Sequence, residues 1–145
     1  MNTPFPVAIG CDEAGFELKE LLKRHIEALG YPVTDFGTHS TAPVLYPDIA
    51  LAVATAINAG QQRLGVLVCG TGIGMSIAAN RYRHIRAALC HEALTARMSR
   101  EHNDANILCL GARVVGIGVA QDIVKVWLET TFAGGRHLRR IEMMG

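Results

Sequence analysis

Cys69 stands at the point in the chain where chemistry is most concentrated. It closes the apolar run Leu64-Gly65-Val66-Leu67-Val68 and opens the turn Gly70-Thr71-Gly72-Ile73-Gly74. The run reads as a buried strand, and the residues after the turn, Met75-Ser76-Ile77-Ala78-Ala79, read as the start of a helix. A strand, a glycine-rich turn and a helix N-terminus together expose backbone N–H groups that favour negative charge. A thiol at that mouth is expected to ionise more readily than a free one. The pattern therefore sets a tunable base or nucleophile beside an anion hole. The glycine spacing is neither the dinucleotide fingerprint nor a P-loop. Taken alone, the stretch is equally compatible with a tight turn holding a structural cysteine.

Other residues of the right type fall at strand ends. Asp12 follows the first apolar run, Val7 to Cys11, at the edge where open α/β sheets bind ligands. It also suits a helix N-cap. Glu13 is beside it. Tyr46 precedes a helix start marked by Pro47 and either overhangs the sheet edge or makes a plain apolar contact. His102 and Asn103 lie in a polar turn before the last apolar run, and Arg113 just after that run. The tail carries Arg136, Arg139 and Arg140; Arg136 and Arg140, four apart, share a face if the tail is helical. Guanidinium groups match phosphate oxygens as a fork.

Five strands are expected to position these residues: Val7–Cys11, Tyr31–Phe36, Leu64–Cys69, Ile85–Cys90 and Ile107–Leu110. Helices alternate with them: Phe16 to Leu29, Pro47 to Gly60, one after the central turn, Glu92 to Arg100, and a last one over Gly116 to Thr130. Leu18, Leu21, Leu22, Ile26 and Leu29 form the apolar stripe of the first helix, with Lys19, Lys23 and Arg24 largely off it and His25 on the surface. Val119, Ile123, Val126 and Trp127 form the buried side of the last. Such alternation predicts one α/β domain with a parallel sheet covered on both faces. At 145 residues the chain is long enough for one core. A net charge of +1 gives no field for nucleic acid or a membrane surface. No apolar run spans a bilayer, and the N-terminus lacks the features of a secretory leader. The four cysteines make no C-x-x-C pair, so reduced thiols in a cytoplasmic protein are expected.

Five motifs occur in order: Gly10-Cys11-Asp12-Glu13-Ala14-Gly15-Phe16, Cys69 to Ser76, Ser99-Arg100-Glu101-His102-Asn103-Asp104, Gly111-Ala112-Arg113-Val114-Val115-Gly116 and Gly134-Gly135-Arg136-His137. Together they resemble the ribose-5-phosphate isomerase B family, which includes galactose-6-phosphate isomerase subunits and allose-6-phosphate isomerases. The resemblance covers nearly the whole chain. It implies an α/β/α sandwich with a five-stranded parallel sheet in the order 2-1-3-5-4. It also implies a metal-free, cofactor-free aldose–ketose isomerase of a phosphorylated sugar, most simply ribose 5-phosphate. Homodimers or dimers of dimers follow from it, with sites completed by the neighbouring subunit and the tail 132–145 reaching across.

Carried over by position, Cys69 is the base that moves a proton between C1 and C2, and His102 opens the sugar ring. Gly70, Thr71, Gly72, Ile73 and Gly74 face the enediolate, with Thr71 assisting. Asp12 and Asn103 hold substrate, and Arg113, Arg136 and Arg140 hold phosphate. Glu13 departs from the family pattern, where histidine is common; a carboxylate there repels phosphate. It either points away or meets the hydroxyls of another sugar. Rival readings are a non-catalytic subunit, against which the presence of Cys69, Thr71 and His102 argues, and a nucleotide-binding module using Asp35 or a zinc site from Cys11, Cys69 and Cys90, neither of which the residue spacing favours.

Overall fold

Three runs in the chain are apolar at every position, and each becomes an interior strand. They are β1 (Val7–Cys11), β3 (Leu64–Cys69) and β5 (Ile107–Gly111), and every residue in them is buried. An unbroken apolar strand is stable only when helices cover both of its sides, as in a parallel sheet. The computed structural model describes residues 4–145 and has this arrangement. The shorter β2 (Val33–Asp35) and β4 (Ala87–Leu89) flank the three, giving the order β2-β1-β3-β5-β4, all parallel. Both edge strands are shorter than the apolar runs suggest, and β1 and β5 each run two residues beyond the last pair with them. The fold class and strand order are those the sequence implies.

Alternate residues of each strand face opposite layers. Val7, Ile9, Val66, Val68, Leu108 and Leu110 pack with α1 (Phe16–Ala28), α4 (Ala93–Glu101) and α5 (Ile117–Glu129). Ala8, Leu67, Cys69, Ile107 and Cys109 pack with α2 (Tyr46–Asn58) and α3 (Ile73–Ala79). The buried stripe of α5 is Ala120, Ile123, Val124, Trp127 and Leu128. Val119, expected in that stripe, is 49% exposed, and Val126 is only half-buried. Both flank the arc that the 3.6-residue period turns toward the sheet. For the same reason Leu21 lies exposed beside the α1 stripe.

Two further expectations for α1 fail. Lys19 is fully buried, its Nζ 2.6 and 2.8 Å from the carboxylate oxygens of Asp35, with Lys23 Nζ at 2.8 Å. Asp35 therefore serves as an internal counter-ion and is not a ribose ligand. Burial alone raises its carboxyl pKa, but the two lysines and the Gly37 amide outweigh this and hold it below the ordinary range. His25 is not a free surface residue: its Nε2 lies 2.9 Å from the Gln121 carbonyl, linking α1 to α5.

α5 is not the last helix. After an extended stretch, Arg136–Met144 forms α6. The chain after Glu101 places it: the Ala133 amide donates to the Glu101 carbonyl at 2.9 Å. All four cysteines are buried and free. Among the described residues no group of three or more His, Cys, Asp or Glu is placed to hold a metal ion. No helix among them is long and apolar enough to cross a membrane.

Candidate active site

The turn after β3 is built by close approaches that only glycine permits. Gly72 has φ +79°, and a Cβ there would lie 2.6 Å from Leu89 and 2.9 Å from the Leu110 carbonyl carbon. At Gly111 an added Cβ would come within 2.6 Å of the Thr71 carbonyl oxygen. The turn is thus pressed onto the end of β5. α3 begins at Ile73, two residues earlier than its composition suggests, with Gly72 as N-cap. The Gly72 amide donates to Cys69 Sγ at 3.1 Å, and the Ile73 amide donates to Thr71 Oγ1 at 3.3 Å. Cys69 is 5% exposed, and Thr71 and Ile73 lie open to solvent. The sulfur therefore sits at the head of α3 with an amide directed at it, as the sequence predicts.

Around this turn the C-terminal edge of the sheet gathers more polar groups. Asp12 leaves β1 with its amide bonded to the Val68 carbonyl at 3.2 Å, and its Oδ1 accepts the Gly15 amide at 3.1 Å. It is both N-cap and neighbour of the Cys69 turn. Burial pushes its carboxyl pKa up, against the pull of the Gly15 amide, and the charge of Glu13 adds to the rise. Glu13 turns to the loop between β2 and α2: its Oε2 accepts the Val44 amide at 3.2 Å. Its own backbone amide and that of Val44 hold its pKa below the ordinary range, with help from Arg113.

Arg113 crosses the turn. Its amide donates to the Gly70 carbonyl at 2.9 Å, and a Cβ on Gly70 would lie 3.5 Å from Arg113 Nη1. Tyr46 is the first residue of α2, and its ring lies so close to Gly74 that a Cβ there would be 2.6 Å from Cζ. Cys69, Gly70, Thr71, Gly72, Ile73, Gly74, Asp12, Glu13, Tyr46 and Arg113 thus meet at one edge.

The remaining candidates lie at the opposite edge. β3 and β5 run parallel, with Gly65 opposite Ile107 and Cys69 opposite Gly111. His102 and Asn103 precede β5, so more than about 13 Å of strand separates them from Cys69. α6 is with them. The His137 ring stacks on His102, centroids 4.3 Å apart and planes 11° from parallel. Arg136 and Arg140, both exposed, are close enough to depress the His137 pKa, together with His102 and after the larger effect of desolvation. The sequence therefore names two half-sites, one at each end of the sheet.

Sequence reasoning passed over two supporting histidines. His91 Nε2 accepts the Gly111 amide at 3.2 Å and steadies the wall behind Thr71. Its place just past β4 is the only signal of that role. His137 is quoted within a motif, but its stack on His102 depends on α6 folding back, which no local pattern encodes. Gly111→Ala tests the wall: displacing the Thr71 backbone is expected to cost about 1–3 kcal/mol in denaturant unfolding.

A five-stranded parallel sheet with a cysteine, an amide-lined turn and carboxylates at its C-terminal edge defines an α/β protein built to handle a small anionic ligand. Residues 7–144 match the family Ribose/Galactose Isomerase, and the chain belongs to it. It is 46% identical to ribose-5-phosphate isomerase B of Escherichia coli, over 94% of this chain and 91% of that protein. It is 41% identical to D-erythrulose-4-phosphate isomerase of Pectobacterium atrosepticum, over 96% and 92%. The solved structure of Clostridium thermocellum ribose-5-phosphate isomerase B superposes with a TM-score of 0.95 at 51% identity, covering 97% of this chain and 95% of that one.

Proposed function

We propose that this chain is an aldose–ketose isomerase interconverting ribose 5-phosphate and ribulose 5-phosphate through an enediolate. The observation that carries the reading is Cys69 Sγ beneath the Gly72 amide, at the mouth of the Gly70–Gly74 turn. Cys69 removes the proton from C2 of the open-chain aldose and returns it to C1. The oxygen that gains negative charge meets the turn's amides and Thr71, fixed donors that need no rearrangement as charge develops. Asp12 orients substrate hydroxyls, Tyr46 borders the sugar, and Arg113 meets the phosphate. Proton transfers of this kind require no metal or cofactor.

Ring opening and the remaining phosphate contacts fall to His102, Asn103, Arg136 and Arg140. Because these lie at the other edge of the sheet, we place them in the site of a neighbouring copy in a symmetric dimer. The α6 arginines then approach a phosphate bound at the partner's Cys69 turn. His137, stacked on His102, holds that imidazole in plane.

A second substrate is favoured by one observation. Glu13 holds the loop before α2 and is a carboxylate near the Arg113 end of the site, and one relative is named for a four-carbon sugar phosphate. The test is incubation in heavy water with ribulose 5-phosphate, and in parallel with erythrulose 4-phosphate, tagatose 6-phosphate and allulose 6-phosphate, followed by NMR. Aldose deuterated at C2 from ribulose 5-phosphate is expected. Deuterated aldose from another ketose alone keeps the mechanism and replaces the sugar. No exchange with any of them contradicts the isomerase reading.

A further inference from the structure

Beneath the N-terminal edge of the sheet, the edge that also carries His102 and Asn103, lies a cavity of about 560 Å³ lined by none of the residues assigned to the isomerase mechanism. Its charged lining is Arg63, Arg86, Arg100 and Asp104, a net of two positive charges. Two of the arginines are fixed in place by backbone. Arg86 Nε donates to the carbonyls of Asn103 and Asp104 at 3.1 and 3.0 Å. Arg100 donates from Nε to the Thr130 carbonyl at 3.3 Å and from Nη1 to the Ala105 carbonyl at 2.5 Å and to Asp104 Oδ1 at 3.2 Å. Arg63 stands over the Phe5 ring, its Cζ 4.4 Å from the centroid, and has no carboxylate partner among the described residues.

Desolvation depresses the Arg100 pKa, and repulsion by Arg63 and Arg86 adds to it while Asp104 opposes. Asp104 already pairs with Arg86 at 3.6 Å and with Arg100 at 3.2 Å, so an entering anion meets the two positive charges left over, and the carbonyl bonds spare it the cost of ordering Arg86 and Arg100. The rest of the lining mixes apolar and aromatic side chains with the polar Gln62, Asn106, Thr130 and Thr131. Phe5 and Tyr31 meet edge to face at 5.4 Å, with Leu128 beside them. A phosphate meets the arginines, sugar hydroxyls meet the polar side chains, and a flat ring meets the Phe5–Tyr31 pair, so a ligand with all three parts matches the whole lining, and the volume suits one of that size.

We propose that this cavity is a second binding site, for a mononucleotide, formed by the Arg63–Arg86–Arg100 cluster and the Phe5–Tyr31 wall. The probes are adenosine 5′-monophosphate, adenosine and inorganic phosphate, followed by calorimetry on the full chain. Because the isomerase site also takes phosphate esters, each titration is repeated on the Arg113→Ala/Arg140→Ala double variant. Adenosine 5′-monophosphate is expected to bind the wild type and the double variant alike. Arg63→Ala should weaken it about tenfold and Arg63→Glu further, while both variants keep wild-type isomerase activity. Adenosine and phosphate should each bind at least about tenfold more weakly. No heat with the nucleotide up to millimolar concentration overturns the proposal. So does binding lost in the double variant but untouched by Arg63→Glu, or equal affinity for phosphate or adenosine alone.

Discussion

Cys69→Ala is expected to lower kcat by about 10²–10⁴-fold, the contribution of one positioned acid–base group, with little change in KM. The sulfur is nearly enclosed and bonded to the Gly72 amide, so the substitution removes the proposed proton acceptor and leaves the turn's backbone in place. Thr71, Gly70 and Arg113 still offer their donors. The expected pattern, loss in turnover with retained binding, separates a base from a residue that merely shapes the turn. Steady-state kinetics reads it directly. A variant keeping more than a tenth of wild-type kcat removes Cys69 from the mechanism.

Lys19→Met is expected to destabilise the fold by about 3 kcal/mol in denaturant unfolding. The ammonium is completely buried, and removing one member of a buried ion pair leaves the other poorly compensated. Lys23 still reaches Asp35, which keeps the loss at the lower end of the range for such changes. The pH dependence has a definite sign. The folded carboxyl of Asp35 lies below its unfolded value of 3.8, so its contribution is fully present above that value and is lost as pH falls through the folded pKa. The gap between wild type and Lys19→Met should therefore hold near neutrality and narrow below about pH 4. A gap that is constant down to pH 2 contradicts this.

Much of the frame was legible because apolar runs and glycines report on backbone directly. The unbroken runs of β1, β3 and β5 can be stable only inside a parallel sheet, and the glycines after Cys69 mark a turn no bulkier residue can make. Lys19 shows where such reading stops. Its period places it near the apolar stripe, but a lysine is assigned to solvent unless its counter-ion is known, and Asp35 lies sixteen residues away at the end of β2. Val119 fails for a milder reason, since one residue of phase decides which flank of α5 meets the sheet.

The site was legible as residue types and not as a place. Asp12 and Arg113 each follow a strand and Cys69 ends one, so they share an edge by topology alone. His102 precedes a strand, and the same topology sends it to the far edge. His137 and Arg140 join it only because α6 folds back onto the end of α4, a tertiary contact invisible in the local pattern.

That division of the proposed catalytic groups between the two ends of the sheet is why the reading requires a site shared between subunits. Co-expressing Cys69→Ala with His102→Ala, and assaying the purified mixture for isomerisation of ribose 5-phosphate, tests this most directly. Each variant alone should be nearly inactive. In a mixed dimer with shared sites, one site carries both substitutions and the other carries neither. Random pairing should then restore about a quarter of wild-type activity. A mixture no more active than its separate components would place Cys69 and His102 in the same subunit's site and contradict the account.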